Sequence, residues 1–307
     1  MGTPEFAVSS LKKLLENGYN IVGVITSPDK PTGRGQKIGE SAVKQFAKSQ
    51  RLRILQPTNL KNEAFREELK SLDANLQIVV AFRMLPKTVW QMPEYGTFNL
   101  HASLLPNYRG AAPINWAIIN GESKTGVSTF FIDEKIDTGE MILQEEVEIG
   151  SNENAGSLHD KLMHIGSELV IKTVKLIEAD SVTTTPQPSN VKVKTAYKLN
   201  RDNCRIDWSS DLETIYNKVR GLSPYPVAWS ILINNSQELN VKIYEVKTEK
   251  VNHNNEVGSI ISTKNDVKVS VPNGYVILKE VQLPGKRKMD IKDLLNGYLF
   301  QENAKML

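Results

Sequence analysis

The chain has one cysteine and no long apolar segment. Because Cys204 is the only cysteine among 307 residues, no disulfide can form within the chain, and a reducing cytosol is the expected compartment. No apolar run approaches the roughly 18 residues that cross a bilayer, and the first residues lack the basic and apolar regions of a secretory signal. With 40% hydrophobic and 24% charged residues, the composition is typical of a globular protein. We therefore expect a cytoplasmic protein that has no membrane segment.

Two kinds of motif are also absent. The chain contains neither a P-loop nor a GxGxxG pattern, so nothing in it supports a nucleotide-dependent enzyme. It contains no His, Cys and Asp cluster at the spacing of metal ligands, so we expect no metal site. Cys204 could act as a catalytic thiol, but a single free thiol is more often a small apolar residue of a core.

The charges are spread unevenly along the chain. The net charge is +3 overall; residues 187–307 carry 18 Lys and Arg against 13 Asp and Glu, whereas residues 1–186 carry 20 against 22. A basic C-terminal part indicates a polyanionic partner such as a nucleic acid. An ordinary solvated surface would give a similar imbalance, so charge alone leaves both interpretations open.

The first two thirds of the chain alternate strand and helix patterns. Apolar, β-branched segments predict strands over residues 20–26, 76–82, 96–103, 126–132 and 141–149, the last with glutamates typical of an edge strand. Amphipathic segments predict helices over residues 5–16, 41–50, 62–71, 112–119 and 157–179. This alternation favours an α/β fold with a doubly wound, mainly parallel, Rossmann-like sheet.

The last third has a different pattern. Residues 181–190 contain two prolines and no charged residue, which is typical of an interdomain linker. Five short β patterns follow, over residues 227–233, 239–246, 258–262, 267–271 and 275–281. They predict a β-barrel of the oligonucleotide-binding type, although a β-sandwich would give the same pattern. We therefore divide the chain into an N-terminal domain (1–180), a linker (181–200) and a C-terminal barrel domain (201–307).

Candidate catalytic residues stand at the end of the third predicted strand. Asn99 and His101 are two residues apart and therefore project from the same face of an extended segment. An amide can donate hydrogen bonds to an oxyanion, and an imidazole titrates near neutral pH. The Pro- and Gly-containing loop after them, residues 103–110, is where an α/β enzyme binds its ligands. A lone strand histidine is more often a packed residue, so this pair alone is weak support for catalysis.

An acidic residue lies farther along the chain. Asp137 precedes a Thr-Gly pair, which is a turn signal. Asp133 and Glu134 are close by in sequence, and the pattern does not choose among the three acids.

The stretch HASLLPNYRG at residues 101–110, with Asn99 before it and Asp137 after it, resembles the core motif of the folate-dependent formyltransferases. The resemblance extends from residues 2–4 to residues 293–296. It implies that Asn99, His101 and Asp137 form the catalytic set, and that an amine attacks the formyl group of 10-formyltetrahydrofolate without a metal. Asn99 and His101 would hydrogen-bond the oxyanion, and Asp137 would support His101 and relay the amine's proton.

The same resemblance implies a folate site beside these residues. In the family this site is lined by the loop after the preceding strand and by the segment after the histidine, here Phe82, Arg83, Leu85, Ser103, Leu104, Leu105 and Pro106. Many relatives have Tyr-Gly in place of Phe82-Arg83. We therefore expect the side-chain contacts at Arg83 to differ and the backbone contacts to remain.

Three kinds of acceptor amine compete. Family members that formylate glycinamide ribonucleotide end near the linker, so the C-terminal domain argues against them. Sugar-nucleotide formyltransferases share both domains, but they tend to have a charged residue at position 111. RGAAPI at residues 109–114 resembles the members that formylate initiator methionyl-tRNA for translation initiation, which is the expected function. An RNA-binding module with an inactive catalytic domain is the alternative of another class.

The resemblance also implies contacts with tRNA. In the tRNA-formylating members, the loop that matches residues 27–37 enters the acceptor stem. The expected contacts are Lys30, Arg34 and Lys37 there, with a second basic cluster formed by Lys286, Arg287 and Lys288. We expect the protein to be a monomer.

The beginning of the chain departs from the family pattern. In the formyltransferases the turn that matches Gly2-Thr3-Pro4 follows the first strand of the sheet, and here no strand pattern precedes it. We therefore expect one sheet position to be empty.

Overall fold

The computed structural model describes residues 1–32, 37–188 and 192–307. The α-helices of the described chain are α1 Glu5–Glu16, α2 Ala42–Ser49, α3 Glu63–Ser71, α4 Lys87–Trp90, α5 Pro113–Ile119, α6 Ala155–Glu178, α7 Leu212–Leu222 and α8 Ile291–Leu295. The strands are β1 Val24–Ile25, β2 Lys30–Thr32, β3 Lys37–Gly39, β4 Ile54–Leu55, β5 Gln77–Val80, β6 Thr97–His101, β7 Arg109–Gly110, β8 Lys124–Phe131, β9 Met141–Glu148, β10 Thr195–Ala196, β11 Ala228–Asn234, β12 Gln237–Lys250, β13 Ile260–Ser262, β14 Val267–Val271, β15 Gly274–Gln282, β16 Met289–Asp290 and β17 Lys305–Met306.

The chain divides into two compact units. The N-terminal unit consists of Met1–Gly110, Thr125–Val147 and His159–Thr195; the C-terminal unit consists of Ala111–Lys124, Glu148–Leu158 and Ala196–Leu307. Each unit is therefore made of three separate segments of the sequence. Among the helices of the described chain, none is long and apolar enough to cross a membrane.

The N-terminal unit is built on a sheet with the order β5-β6-β8-β9. Strands β5 and β6 are parallel, and β6 and β8 are antiparallel. A separate parallel pair joins β1 and β4. Strand β9 is at the end of the sheet order, which confirms the edge strand predicted from its glutamates. The predicted α/β class is thus confirmed.

Capping residues begin two helices of this unit, and a third helix packs closely against β6. Ser41 and Asn62 cap α2 and α3, because their side chains accept hydrogen bonds from backbone N–H groups three residues later. Helix α6 lies close to β6. A Cβ atom at Gly166 of α6 would lie only 2.9 Å from the Cδ2 atom of Leu100. This close approach supports the strand that carries Asn99 and His101.

A cavity of about 920 Å³ adjoins the first two residues of the chain. The Gly2 N–H donates to the Ile25 carbonyl at 3.0 Å, and the Val80 N–H donates to the Met1 carbonyl at 2.9 Å, so residues 1–2 lie between β1 and β5. The terminal amine donates to the Ile78 carbonyl, and burial lowers its pKa to about 5. Side chains from α1, β1 and β5 line the cavity, which thus lies between two strands of the unit.

The C-terminal unit is an antiparallel sheet with the order β13-β14-β15-β12-β11-β17, with β16 on β15. An antiparallel bridge between Ser259 and Lys305 joins the two ends of this order, and the Ile260 N–H donates to the Ala304 carbonyl at 3.0 Å. The sheet is therefore a nearly closed barrel, which confirms the predicted barrel and excludes the sandwich. Apolar residues of α7, including Ile215 and Leu222, share the barrel core.

Four features differ from the sequence-based expectations. The strand predicted over residues 20–26 is shorter in the structure, where it consists of Val24–Ile25. It is short because β4 and residues 1–2 form strand pairs with these two residues only, among those described. The short helix α4 and the hairpin of β2 and β3 were not predicted. In the predicted linker, Thr185 pairs with Met141 through two backbone hydrogen bonds of 2.9 Å. This part of the segment is therefore integrated into the N-terminal unit, while the division into domains stays a prediction.

Candidate active site

His101 ends β6 with its ring held in one orientation. Its Nε2 atom lies 2.8 Å from the carbonyl oxygen of Tyr108. Because a carbonyl oxygen only accepts hydrogen bonds, Nε2 carries the proton of the neutral ring, and Nδ1 carries the lone pair. The side chain is only 8% exposed. Thus Nδ1 is the ring nitrogen that remains for proton transfer.

Asp137 is the acid that the fold brings to His101. Its Oδ2 atom lies 3.8 Å from the Nδ1 atom of His101 and accepts a hydrogen bond of 2.9 Å from the Gly110 N–H. A separation of 3.8 Å is too long for a hydrogen bond but short enough for a strong charge interaction. One N–H or O–H group of a third molecule can lie about 3 Å from both atoms. The pair is therefore arranged to act on a group placed beside it.

The other two candidate acids have different contacts. Asp133 accepts hydrogen bonds from the Thr138 hydroxyl at 2.8 Å and from the Lys135 N–H at 2.9 Å, so it stabilises its own loop. Glu134 forms an exposed ion pair with Lys87. Of the three acids, Asp137 is the one that the structure brings close to His101, and its catalytic role stays a prediction.

Close packing requires the glycine after Asp137 and Thr138. A Cβ atom at Gly139 would lie 1.7 Å from the Phe131 carbonyl oxygen. Asp137 itself has a φ of 53°, in the left-handed region that costs energy for a residue other than glycine. The loop that presents the carboxylate is thus both tight and strained.

Asn99 lies in the middle of β6, two residues before His101, so both side chains project from one face of the sheet. Asn99 is half-buried, and the described residues offer its side-chain amide no hydrogen-bond partner. This amide is therefore available to a substrate. Asn99, His101 and Asp137 all lie in the N-terminal unit, as a catalytic set requires. Their catalytic roles stay a prediction.

The loop after His101 is held by one buried hydroxyl. Ser128, which pairs with His101 across β6 and β8, donates to the Ser103 carbonyl at 2.6 Å. Its oxygen accepts from the Leu105 N–H at 3.2 Å and from the Gln144 amide at 2.9 Å. Gln144 also donates to the Leu105 carbonyl at 2.9 Å. These bonds fix the backbone of residues 103–106, part of the predicted folate site.

The remaining folate candidates lie after β5. Leu85 is buried, Phe82 is half-buried and Arg83 is exposed. The Arg83 guanidinium donates to the carbonyls of Thr58 and Pro57 and lies 5.5 Å from the Phe82 ring centroid. This arginine therefore connects two loops. Folate binding by these residues stays a prediction.

The basic candidates for tRNA contacts are only partly described. Lys30 is exposed on β2, Lys37 lies in β3, and Arg34 lies outside the described residues. In the C-terminal unit, the side chains of the second cluster are all exposed: Lys286, Arg287 and Lys288.

One member of this second cluster differs from the others. Lys288 forms a 2.7 Å ion pair with Glu280 and lies 5.2 Å from the Tyr244 ring centroid. The charge of Lys288 is thus partly compensated. All six tRNA contacts stay predictions.

Cys204 has no place in the site. It is 4% exposed in the core of the C-terminal unit, and burial raises the pKa of its thiol. A protonated, buried thiol is a poor nucleophile, so the apolar interpretation of this cysteine holds.

Sequence analysis missed two amides, Gln144 and Gln187. Gln144 lies in a strand whose polar residues predicted an exposed edge, and Gln187 lies in the segment predicted as a linker. A glutamine in such contexts gives no periodic or motif signal. Only the contacts that join distant segments reveal these two residues.

Comparison with known proteins agrees with this geometry. Residues 1–174 match the family profile described as formyl transferase, and residues 198–299 match the profile of the formyl transferase C-terminal domain. The chain belongs to the formyl transferase family.

Relatives in this family align over the whole chain. A methionyl-tRNA formyltransferase of Flavobacterium johnsoniae is 60% identical over 306 residues, which cover 100% of this chain and 97% of the relative. A methionyl-tRNA formyltransferase of Bacteroides fragilis is 51% identical over 311 residues, which cover 100% of this chain and 96% of the relative. Among solved structures, the sugar 3N-formyl transferase WlaRD has a TM-score of 0.64 at 23% identity, with 93% of this chain and 97% of that chain covered. At this identity the structural likeness concerns the fold.

Proposed function

We propose that this formyl transferase moves the formyl group of 10-formyltetrahydrofolate to the α-amino group of initiator methionyl-tRNA. The observation that carries the proposal is the similarity, over the full chain, to relatives named for that reaction. The pairing of His101 with Asp137 in the N-terminal unit supports a working catalytic site. This pairing also argues against an RNA-binding module with an inactive catalytic domain.

The first step forms a bond between the amine nitrogen and the formyl carbon. The amine loses a proton as this bond forms, and Nδ1 of His101 accepts it, because Nε2 is already bound to the Tyr108 carbonyl. The ring then carries a positive charge beside the Asp137 carboxylate, at the separation of 3.8 Å. Asp137 stabilises this positive charge. This step places the proton on Nδ1 of His101, whereas the family resemblance implies a relay through Asp137.

The second step breaks the bond between the formyl carbon and N10 of the folate. The tetrahedral intermediate carries an oxyanion, and the free amide of Asn99 donates a hydrogen bond to it. The proton held at Nδ1 of His101 goes to N10 as tetrahydrofolate leaves. The protons therefore balance, and the histidine returns to its neutral form.

The loop at residues 103–106 supports the donor. Its backbone is held by Ser128 and Gln144, so it forms a rigid edge beside the end of β6. We propose that the folate lies against this edge and against Leu85. The basic residues Lys30, Arg34, Lys37, Lys286, Arg287 and Lys288 contribute contacts with the tRNA phosphates, and Lys288 contributes less because it is paired with Glu280.

An acceptor assay tests the proposal. The purified protein is incubated with 10-formyltetrahydrofolate and either charged initiator methionyl-tRNA or an amino-sugar nucleotide, and the formylated product is measured. We expect formyl-methionyl-tRNA and no formylated sugar. Formylation of the sugar alone would establish the sugar-nucleotide alternative. Binding of tRNA with no transfer to either acceptor would indicate an RNA-binding module.

A further inference from the structure

The side-chain amide of Gln187 uses all of its hydrogen-bonding positions. Its Nε2 atom donates to the Asp137 carbonyl at 3.0 Å and to the Gly139 carbonyl at 2.8 Å. Its Oε1 atom accepts from Nε of Arg109 at 3.1 Å and from Nη2 of Arg109 at 2.6 Å. A primary amide has two N–H donors and two oxygen lone pairs. Gln187 is therefore saturated by groups of this chain and has no position left for a substrate.

These contacts connect the two segments that hold the Asp137 carboxylate. One segment is the loop of residues 137–139, and the other is β7, where the Gly110 N–H donates to Oδ2 of Asp137 at 2.9 Å. Gln187 binds both segments, so Gln187, Asp137, Gly110 and Arg109 form a closed ring of contacts. The φ of 53° at Asp137 is costly. A strained conformation of this kind persists only where its surroundings hold it in place.

We infer that Gln187 is a positioning residue for formyl transfer: it keeps the Asp137 carboxylate at its working distance from Nδ1 of His101. The inference rests on the proposed role of Asp137 in the reaction. A displacement of a catalytic group by about 1 Å can lower a rate by about a hundredfold. The residues that Gln187 joins are 50 and 78 positions away in sequence, so the segment predicted as a linker also maintains the site.

The isosteric substitution Gln187→Glu tests the inference. A glutamate still accepts from Arg109, but it places an oxygen against the carbonyl oxygens of Asp137 and Gly139, where the amide had donors. We expect kcat to fall by about 10- to 100-fold, with the KM values for folate and acceptor within about twofold of wild type. Gln50→Glu is the matched control, because Gln50 is exposed and, among the described residues, its amide donates only to the Ser49 hydroxyl.

A second variant tests the same inference if Gln187→Glu fails to fold. Gln187→Met keeps the length of the side chain and adds no charge, but it removes all four hydrogen bonds. If Gln187→Glu does not fold, we expect the same loss of kcat at unchanged KM in Gln187→Met, whose folding at the assay temperature is checked by circular dichroism. A folded Gln187→Met with wild-type kcat would overturn the inference.

A double-mutant cycle separates positioning from general stabilisation. In the background of Asp137→Asn, measured under single turnover, we expect Gln187→Glu to cause no further loss of rate, because the carboxylate that it positions is gone. A full additional loss would show that Gln187 acts independently of Asp137 and would overturn the inference. The cycle can be run on whichever acceptor the protein uses. If that acceptor is an amino sugar, the proposed function is wrong, but the cycle still measures whether Gln187 and Asp137 are coupled.

Discussion

The Nδ1 atom of His101 lies 3.8 Å from the Oδ2 atom of Asp137, and no hydrogen bond joins the two. The other ring nitrogen is bound to the Tyr108 carbonyl, and the carboxylate is bound to the Gly110 N–H. Each partner is thus held by a hydrogen bond to the backbone, and the gap between them is wide enough for a polar group of a bound molecule to contact both.

The first prediction concerns the two partners. We expect His101→Ala and Asp137→Asn each to lower kcat for formyl transfer by about 10²- to 10⁴-fold, since each removes a part of one proton-transfer device. Affinity for the tRNA, measured by filter binding, should stay within about twofold of wild type, because neither side chain is proposed to contact the phosphates. Turnover of either variant at the wild-type rate would contradict the mechanism.

The second prediction concerns the glycine of the Asp137 loop. Gly139→Ala places a methyl group 1.7 Å from the Phe131 carbonyl oxygen, so the loop must move and carry Asp137 with it. We expect a loss of about 1–3 kcal/mol in the free energy of unfolding, measured with urea, together with a large loss of kcat. Gly297→Ala is the control, because a Cβ atom there meets no atom within 4 Å. Equal stabilities of the two variants would argue against the packing described for Gly139.

Much of this fold follows from local patterns. Helix α1 has the bounds that periodicity predicts, and Ser41 and Asn62 start α2 and α3 as capping residues should. The alternation of apolar Phe98 and Leu100 with polar residues also predicts β6, because successive side chains of a strand point to opposite faces of the sheet. These elements depend on residues that are close together in the sequence, so they can be predicted from the sequence alone.

The site depends on contacts that local patterns do not encode. Local sequence does not distinguish Asp133, Glu134 and Asp137, whereas in the structure Asp137 lies 3.8 Å from His101. The Gln187 amide donates to the carbonyl of Asp137, which is 50 residues away in the sequence. The catalytic roles of Asn99, His101 and Asp137 therefore rest on the resemblance to a family. The supporting roles of Gln144 and Gln187 become visible only in the structure.

The third prediction concerns the buried hydroxyl under the loop at residues 103–106. Ser128→Ala leaves the Leu105 N–H and the Ser103 carbonyl without their partner, and unsatisfied buried groups cost about 1–3 kcal/mol. We expect that loss in the free energy of unfolding, and a raised KM for the folate, because the edge proposed to hold it loosens. Ser151→Ala, at an exposed position, should change neither quantity. An unchanged KM for the folate in Ser128→Ala would argue against the proposed folate position.

The fourth prediction separates the basic residues of the C-terminal unit. Lys288 is paired with Glu280, whereas the side chains of Lys286 and Arg287 have no partner among the described residues. A phosphate contact by Lys288 must therefore compete with an ion pair already formed, and its net contribution is smaller. We expect Arg287→Gln and Lys286→Gln to raise the KM for methionyl-tRNA more than Lys288→Gln does.

Salt dependence supplies the decisive measurement for this last prediction. A side chain that contacts phosphate releases about one counterion, so its removal lowers the slope of log affinity against log salt by about 1. We expect that decrease for Arg287→Gln and Lys286→Gln, with no change in the KM for the formyl donor. A larger decrease for Lys288→Gln would mean that tRNA breaks the Glu280 ion pair on binding. Unchanged slopes in all three variants would remove the cluster from the proposed tRNA contacts and leave its residues as ordinary solvated charges.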